Sequence, residues 1–175
     1  MLVFYMSMVD TLDDKRKIEQ LYNHYNKLMF SVAYKILHHH EDAEDAVIES
    51  WEKIILHLDK IDEIQCNKTK NFLVTIIRRT SIDLYRSKKK QIGETIEDFE
   101  ESHLFAVKDQ YLEGVETRIW INNLPPKYRD VLLLYYIHGM SYSEIAQIMS
   151  IPTNTVASQI MRGRNLLKKE EKIHD

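Results

Sequence analysis

The feature that most constrains this chain is the break Ser150-Ile151-Pro152-Thr153, set between two amphipathic stretches. Proline removes a helix donor and biases the residue before it, here Ile151, away from the helical region. Ahead of the break, Ile145, Ile148 and Met149 fall on one face of a short helix, which opens on the capping box Ser141-x-x-Glu144. Beyond it, Thr153 or Asn154 is placed to cap a longer helix, and Val156, Ile160 and Leu167 recur at helical spacing. The other side of that helix carries Thr155, Ser158, Gln159 and Arg162, groups that reach base edges or phosphates, with Arg164 following. Two helices, a tight turn between them and a polar outer face on the second make a helix-turn-helix, whose second helix enters a major groove.

The remainder of the chain reads as helical too. Four glycines and three prolines in 175 residues suit long helices better than a many-turned β fold. From Thr11 to Leu37, Ile18, Leu21, Tyr22, Tyr25, Leu28, Met29, Val32 and Ile36 step by threes and fours, with Asp10 or Thr11 as the cap. His38-His39-His40 forms a polar loop, since adjacent histidines diverge and make a poor metal cage. Glu41 to Leu58 is a second helix with Ala43, Val47, Trp51, Ile54, Ile55 and Leu58 inward. A loop from Lys60 to Thr69 leads to a third helix, Asn71 to Arg86, with Phe72, Leu73, Ile76, Ile77, Thr80 and Leu84 inward. Val115, Ile119 and Trp120 mark a short helix. Lys127 to His138 is an apolar one, opened by Pro126 and closed by Gly139. The fold class expected is all-α.

Charge is distributed unevenly. The net charge is only −3, yet Lys68, Lys70, Arg78, Arg79, Arg86, Lys88, Lys89 and Lys90 face a single acid, Asp83, between positions 68 and 90. That surplus suggests a phosphate-tracking stripe. From Glu94 to Glu116 the sign reverses, with eight acids against Lys108. Sparse apolar residues and a length of about 20 residues make this stretch a flexible acidic linker. The second helix is acidic on its outer side through Glu41, Asp42, Glu44, Asp45 and Glu49, which suits either solvent or a basic partner.

Several classes are excluded by what the sequence lacks. It contains no glycine-rich phosphate loop, no HExxH and no paired cysteine motif, so no catalytic, cofactor or metal site is expected. The single cysteine, Cys66, rules out an internal disulfide and fits a reducing cytoplasm. The apolar run Met1 to Val9 has neither the flank of a signal peptide nor the length of a membrane span, so no membrane insertion is expected.

Three segments resemble bacterial RNA polymerase sigma factors of the extracytoplasmic-function class. Glu41-Asp42-Ala43-Glu44-Asp45-Ala46-Val47 resembles that family's polymerase-binding helix. Phe72 through Arg86 resembles the helix that melts and reads the minus-ten promoter element. Leu124-Pro125-Pro126 and Arg129 through Arg164 resemble the domain that reads the minus-thirty-five element. The resemblance implies two small helical domains joined by an acidic flexible linker: 1–90 for core polymerase and the minus-ten element, 91–112 as linker, and 113–175 as the helix-turn-helix domain. It assigns Glu41, Asp42, Asp45 and Glu49 to polymerase binding. It assigns Lys70, Arg78, Arg79, Arg86, Thr155, Ser158, Gln159, Arg162 and Arg164 to DNA, with Asn67 and Lys68 in a base-capturing loop within Ile61 to Lys70. The implied partners are core RNA polymerase, promoter DNA and an anti-sigma factor. The other class open to such a chain is a stand-alone helix-turn-helix regulator, which has no need of the acidic second helix.

The chain departs from the family pattern in places. Phe72 stands where a tryptophan is usual, and Arg79 where an asparagine is usual. Ala157 and Gln159 replace a frequent lysine and arginine in the recognition helix, which weakens phosphate attraction; Gln159 is expected to contact an adenine or to lie beside the backbone.

Overall fold

The computed structural model describes residues 1–92 and 124–174. The chain divides into two units, Met1–Asp98 and Phe99–Asp175. Among the described residues there are helices and turns and no strand, as an all-α fold requires. The acidic stretch from Glu94 to Glu116 and the short helix expected around Val115, Ile119 and Trp120 lie outside the described residues.

In the first unit, α2 (Leu12–Leu37), α3 (His40–Ile55) and α4 (Asn67–Ile92) pack against one another. Thr11 caps α2 by accepting the Asp14 N–H at 3.0 Å. Ile18, Leu21, Tyr25, Met29 and Ile36 are buried as their spacing predicts, and Ala33 joins them. His38 takes a left-handed conformation (φ 52°) and ends α2, while His39 precedes α3 and His40 begins it. The histidine run is therefore a two-residue corner between helices. α3 stops at Ile55, short of Leu58, which sits in a 3₁₀ turn over Leu58–Lys60. That turn is held from α2, because Lys17 Nζ donates to the carbonyls of Leu58 (3.2 Å) and Ile61 (2.7 Å).

α4 is longer than the spacing of its apolar residues suggests. It starts four residues before Asn71 and continues six past Arg86, so the boundary at residue 90 falls inside a helix. Positions 61 to 92 contain neither glycine nor proline to stop it, and Lys89 and Lys90 in its last turn favour the negative end of the helix dipole. At its start Cys66 Sγ accepts the Thr69 N–H at 3.4 Å, the place of a capping side chain.

A helix not foreseen from sequence precedes these three. α1 (Leu2–Ser7) lies on α2 and α3. Its Tyr5 is 1% exposed, with ring centroids 5.7 Å from Trp51 and 6.0 Å from Tyr22. Burial raises the Tyr5 phenol to about 12, with smaller contributions from Tyr22 and Glu52. Trp51 is itself fully buried and donates its indole N–H to Asn26 Oδ1 at 3.0 Å.

The second unit contains α5 (Pro126–Leu132), α6 (Tyr142–Met149) and α7 (Thr153–His174). Pro126 opens α5 as expected, but the predicted single helix to His138 changes winding: Leu133–Ile137 is a π turn. Its closing bond runs from the His138 N–H to the Leu133 carbonyl at 3.2 Å, five residues back. Gly139 follows with φ +63°, the left-handed conformation that suits glycine at a helix end. α6 opens on the complete capping box, Ser141 and Glu144 each bonding the other's backbone N–H. Val131, Leu132, Leu134, Ile145, Ile148, Met149, Val156 and Ile160 form the core.

Candidate nucleic-acid interface

The turn of the helix-turn-helix is built by backbone geometry. Ser150 ends α6 in a left-handed conformation (φ 51°), and the Ile151 N–H returns to the Ala146 carbonyl at 3.1 Å. α7 then begins at Thr153, so neither Thr153 nor Asn154 is its cap. The Pro152 carbonyl accepts from the N–H groups of Thr155 (2.8 Å) and Val156 (3.1 Å). Proline at this corner supplies an acceptor and loses nothing by lacking a donor.

Thr155, Ser158, Gln159 and Arg162 share one side of α7 by helical spacing, with Arg162 exposed and the other three half-buried. Ser158 Oγ donates to the Thr155 carbonyl at 2.9 Å. Gln159 Oε1 is buried with no hydrogen-bond partner, so the amide oxygen faces the protein interior. Arg164 departs from the expected face. Two residues beyond Arg162, it points round the helix and stands over the rings of Tyr135 (5.8 Å) and Tyr136 (5.4 Å). A hydrogen bond to Tyr136 is the main cause holding its guanidinium more firmly protonated than usual. Gly163 was not singled out from sequence. A Cβ there would lie 2.8 Å from Leu132 Cδ1 and 3.3 Å from Tyr128 Cβ, so its bareness is what lets α7 lie close on α5. A glycine inside a helical pattern was the available signal.

In the first unit the structure revises the basic stripe. From Thr75 to Ile82, Val74's successors on α4 are buried on every side, because the helix packs on both α2 and α3. Arg78 and Arg79 fall in this segment and are 7% and 6% exposed, so they do not form an open track for phosphates. Arg79 belongs to an ionic group between α3 and α4. Lys53 Nζ donates to Thr80 Oγ1 at 3.2 Å and pairs with Glu49 at 2.9 Å. Asp83 lies beside them. Burial raises its carboxyl above the usual range, against the lowering influence of Arg79, Lys53 and Arg86. Arg86 is half-buried.

The start of α4 is more open. Asn67 and Lys68 are exposed in its first turn, and Lys70 is half-buried. Lys68 pairs with Asp62 at 3.4 Å. A cleft of about 370 Å³ is lined by His24, Tyr25, Gln65, Cys66, Asn67 and Lys70, among others. Its wall is fixed from α2 by Tyr25, whose hydroxyl donates to the Ile64 carbonyl at 2.8 Å, and from α4 by Thr69, whose hydroxyl donates to Glu63 at 2.5 Å.

The acidic side of α3 is partly engaged within the chain. Glu41, Glu44, Asp45 and Glu49 are exposed. Asp42 is turned inward, 9% exposed, and is bonded by Lys88 of α4, with His39 Nδ1 at 3.4 Å. It ties the start of α3 to the tail of α4 and does not belong to the open face. No group of three or more metal-ligating side chains occurs among the described residues, and no described helix is long and apolar enough to cross a membrane.

Comparison with known proteins accounts for both units. The sigma-70 region 2 model matches residues 21–91, and the sigma-70 region 4 model matches residues 121–167. The ECF RNA polymerase sigma factor SigW of Bacillus subtilis is 29% identical over 159 residues, spanning 83% of this chain and 84% of that protein. SigM of the same organism is 27% identical, spanning 86% and 93%. The RNA polymerase sigma-H factor of Pseudomonas aeruginosa is 26% identical, spanning 89% and 86%. A solved sigma factor, RpoE of Bartonella quintana bound to the anti-sigma factor NepR, aligns over 90% of this chain and 98% of its own, with 21% identity and a TM-score of 0.38. A stand-alone helix-turn-helix regulator is not favoured, since region 2 is matched as well as region 4. The chain belongs to the sigma-70 family, as a sigma factor of the extracytoplasmic-function class.

Proposed function

We propose a division of labour within this alternative sigma factor, which directs RNA polymerase to promoters. Residues 1–92, to the end of α4, bind core polymerase and open the minus-ten element, 93–112 act as linker, and 113–175 anchor the upstream element. The open acids Glu41, Asp45 and Glu49 meet the polymerase. The cleft beside Asn67 and Lys70 takes a base unstacked from the non-template strand, with Lys68 and Arg86 near the backbone. Flipping a base costs a few kcal/mol, so a prefixed pocket lowers the barrier to melting. The single observation carrying this reading is that cleft, set at the start of α4 and braced by Tyr25 and Thr69. Arg78 and Arg79 support α4 from within. In the second unit Thr155, Ser158, Gln159 and Arg162 face the upstream duplex, and Arg164 holds the tyrosines behind them. The protein works without catalytic residues of its own, in the cytoplasm, and an anti-sigma factor covering these surfaces silences it.

Run-off transcription with core polymerase on a promoter library tests melting and sequence choice together. Asn67→Ala is expected to slow transcription from duplex promoters while sparing a template pre-opened at the minus-ten element. Equal loss on both templates would remove the cleft from the melting step. Base-by-base substitution of the upstream element tests Gln159: indifference to every adenine there would end its assignment.

A further inference from the structure

Val156, Ile160 and Gly163 are the buried side of α7, packed towards α5 and α6. By helical spacing the opposite side is centred on Asn154, Ser158 and Asn165 and flanked by Met161 and Arg162. Gln159 stands at the border of that face with its Oε1 buried, which suits a place beside the backbone of a bound duplex and not over its bases. Ser158 gives its hydroxyl proton to the Thr155 carbonyl, so it offers a base only an acceptor. Asn154 is exposed and lies second in α7, in the first turn, from which recognition helices approach base edges. The helix begins at Thr153, so the Asn154 amide has no role as its cap. That amide presents a donor and an acceptor side by side, the pattern that matches N6 and N7 of adenine in the major groove. Two turns further on, Met161 is 58% exposed, an apolar side chain held in solvent among polar ones. An unbranched thioether in that position suits contact with the methyl group of a thymine. At the rise of an α-helix the two residues are about 10 Å apart along the axis, roughly three base-pair steps.

We propose that Asn154 and Met161 set the base preference of this sigma factor at its upstream element: Asn154 selects an adenine, and Met161 takes the methyl group of a thymine about three base pairs away. The proposal rests on the assignment of the second unit to the upstream duplex, and names the residues in it that discriminate between bases. Arg162, beside them, adds phosphate attraction that carries no sequence information.

The test is transcription by core polymerase reconstituted with full-length variants, on barcoded templates whose upstream element is randomised, with transcripts counted by barcode. The parent should favour adenine at one position and thymine at another. Asn154→Ala should cut the adenine preference on the order of tenfold and leave the thymine preference in place. Asn154→Arg should move the same position from adenine to guanine, a gain that no unfolded variant can give. Met161→Ala should cut the thymine preference about threefold. Deoxyuridine in place of that thymine removes only the methyl group; it should lower transcription by the parent and leave Met161→Ala unaffected. Loss of the adenine preference in Gln159→Ala but not in Asn154→Ala would overturn the proposal and return the adenine to Gln159. Unchanged preferences in both Asn154 variants and in Met161→Ala would overturn it with upstream anchoring intact. If the parent shows no preference anywhere in the upstream element, the anchoring assignment fails and the proposal with it.

Discussion

The two units each contain a long helix with arginines at its centre, and the arginines do opposite work. On α4, Arg78 and Arg79 are buried between two neighbouring helices. On α7, Arg162 is exposed and Arg164 lies over two tyrosines at the surface. The difference comes from how many neighbours a helix has. α4 packs on α2 and α3 together, so a whole two turns has no solvent face. α7 rests on α5 and α6 along one stripe, Val156, Ile160 and Gly163, and keeps the rest open. A run of cations in sequence therefore specifies charge without specifying whether that charge meets a phosphate or a buried carboxylate. In the first case it is available for binding, and in the second it is structural.

The contrast can be broken most directly at Arg79. Arg79→Ala removes the first of the opposing charges acting on Asp83, and truncating one member of a buried ionic group typically costs about 3–5 kcal/mol. Urea unfolding of the first unit should shift to clearly lower concentration; an unchanged midpoint would place Arg79 among the surface cations after all. Next in size is Gly163→Ala. Crowding against Leu132 and Tyr128 costs about 1–3 kcal/mol, against a gain of about 1 kcal/mol from replacing glycine in a helix. The second unit should lose stability on balance, and a gain would mean that α5 yields freely.

Arg162→Ala is the mirror of Arg79→Ala. Its effect on unfolding should stay within about 0.5 kcal/mol. Binding to an upstream-element duplex should weaken, with the slope of log affinity against log salt reduced by about one if the contact is to phosphate. A stability loss without a change in that slope would reverse the roles assigned to the two helices. An effect that is silent at neutral pH concerns Tyr5. Its folded phenol titrates at about 12, above the ordinary value near 10 for an unfolded chain. Folding thus favours the neutral form, and this stabilisation is complete below pH 10 and is lost as pH rises towards 12. Tyr5→Phe should remove that part of the alkaline loss of stability in the first unit, seen by comparing the two proteins between pH 9 and 12.

Much of this architecture is written in local patterns. The stripe Ile18, Leu21, Tyr25, Met29 and Ile36, the cap at Thr11 and the box Ser141–Glu144 are each set within a few residues, and each takes the expected place. What escaped depends on contacts between distant segments. Asp42 reads as one more acid on an acidic helix until Lys88, 46 positions away, is brought beside it. The apolar run over α1 is too short and too uniform to show a helical period, and only the Trp51 and Tyr22 rings give Tyr5 a reason to be buried. Arg164 follows Arg162 by two positions, a spacing that already separates them around a helix; the tyrosines that receive it are fixed by the π turn of another element.

That π turn has a consequence for how the second unit tolerates changes in length. Leu133–Ile137 holds one residue more than an α-helical turn would, and absorbs it between Leu132 and Met140, both buried in the core. Phase before and after the bulge is thereby uncoupled from the number of residues in it. Removing a single residue such as Tyr136 would let the winding relax to the ordinary repeat with Val131 and Leu132 still in register ahead of it and the turn at Gly139 still reachable behind. The segment is a slack link in a helix otherwise held by packing, the place where this fold can gain or lose one residue without redrawing its interior.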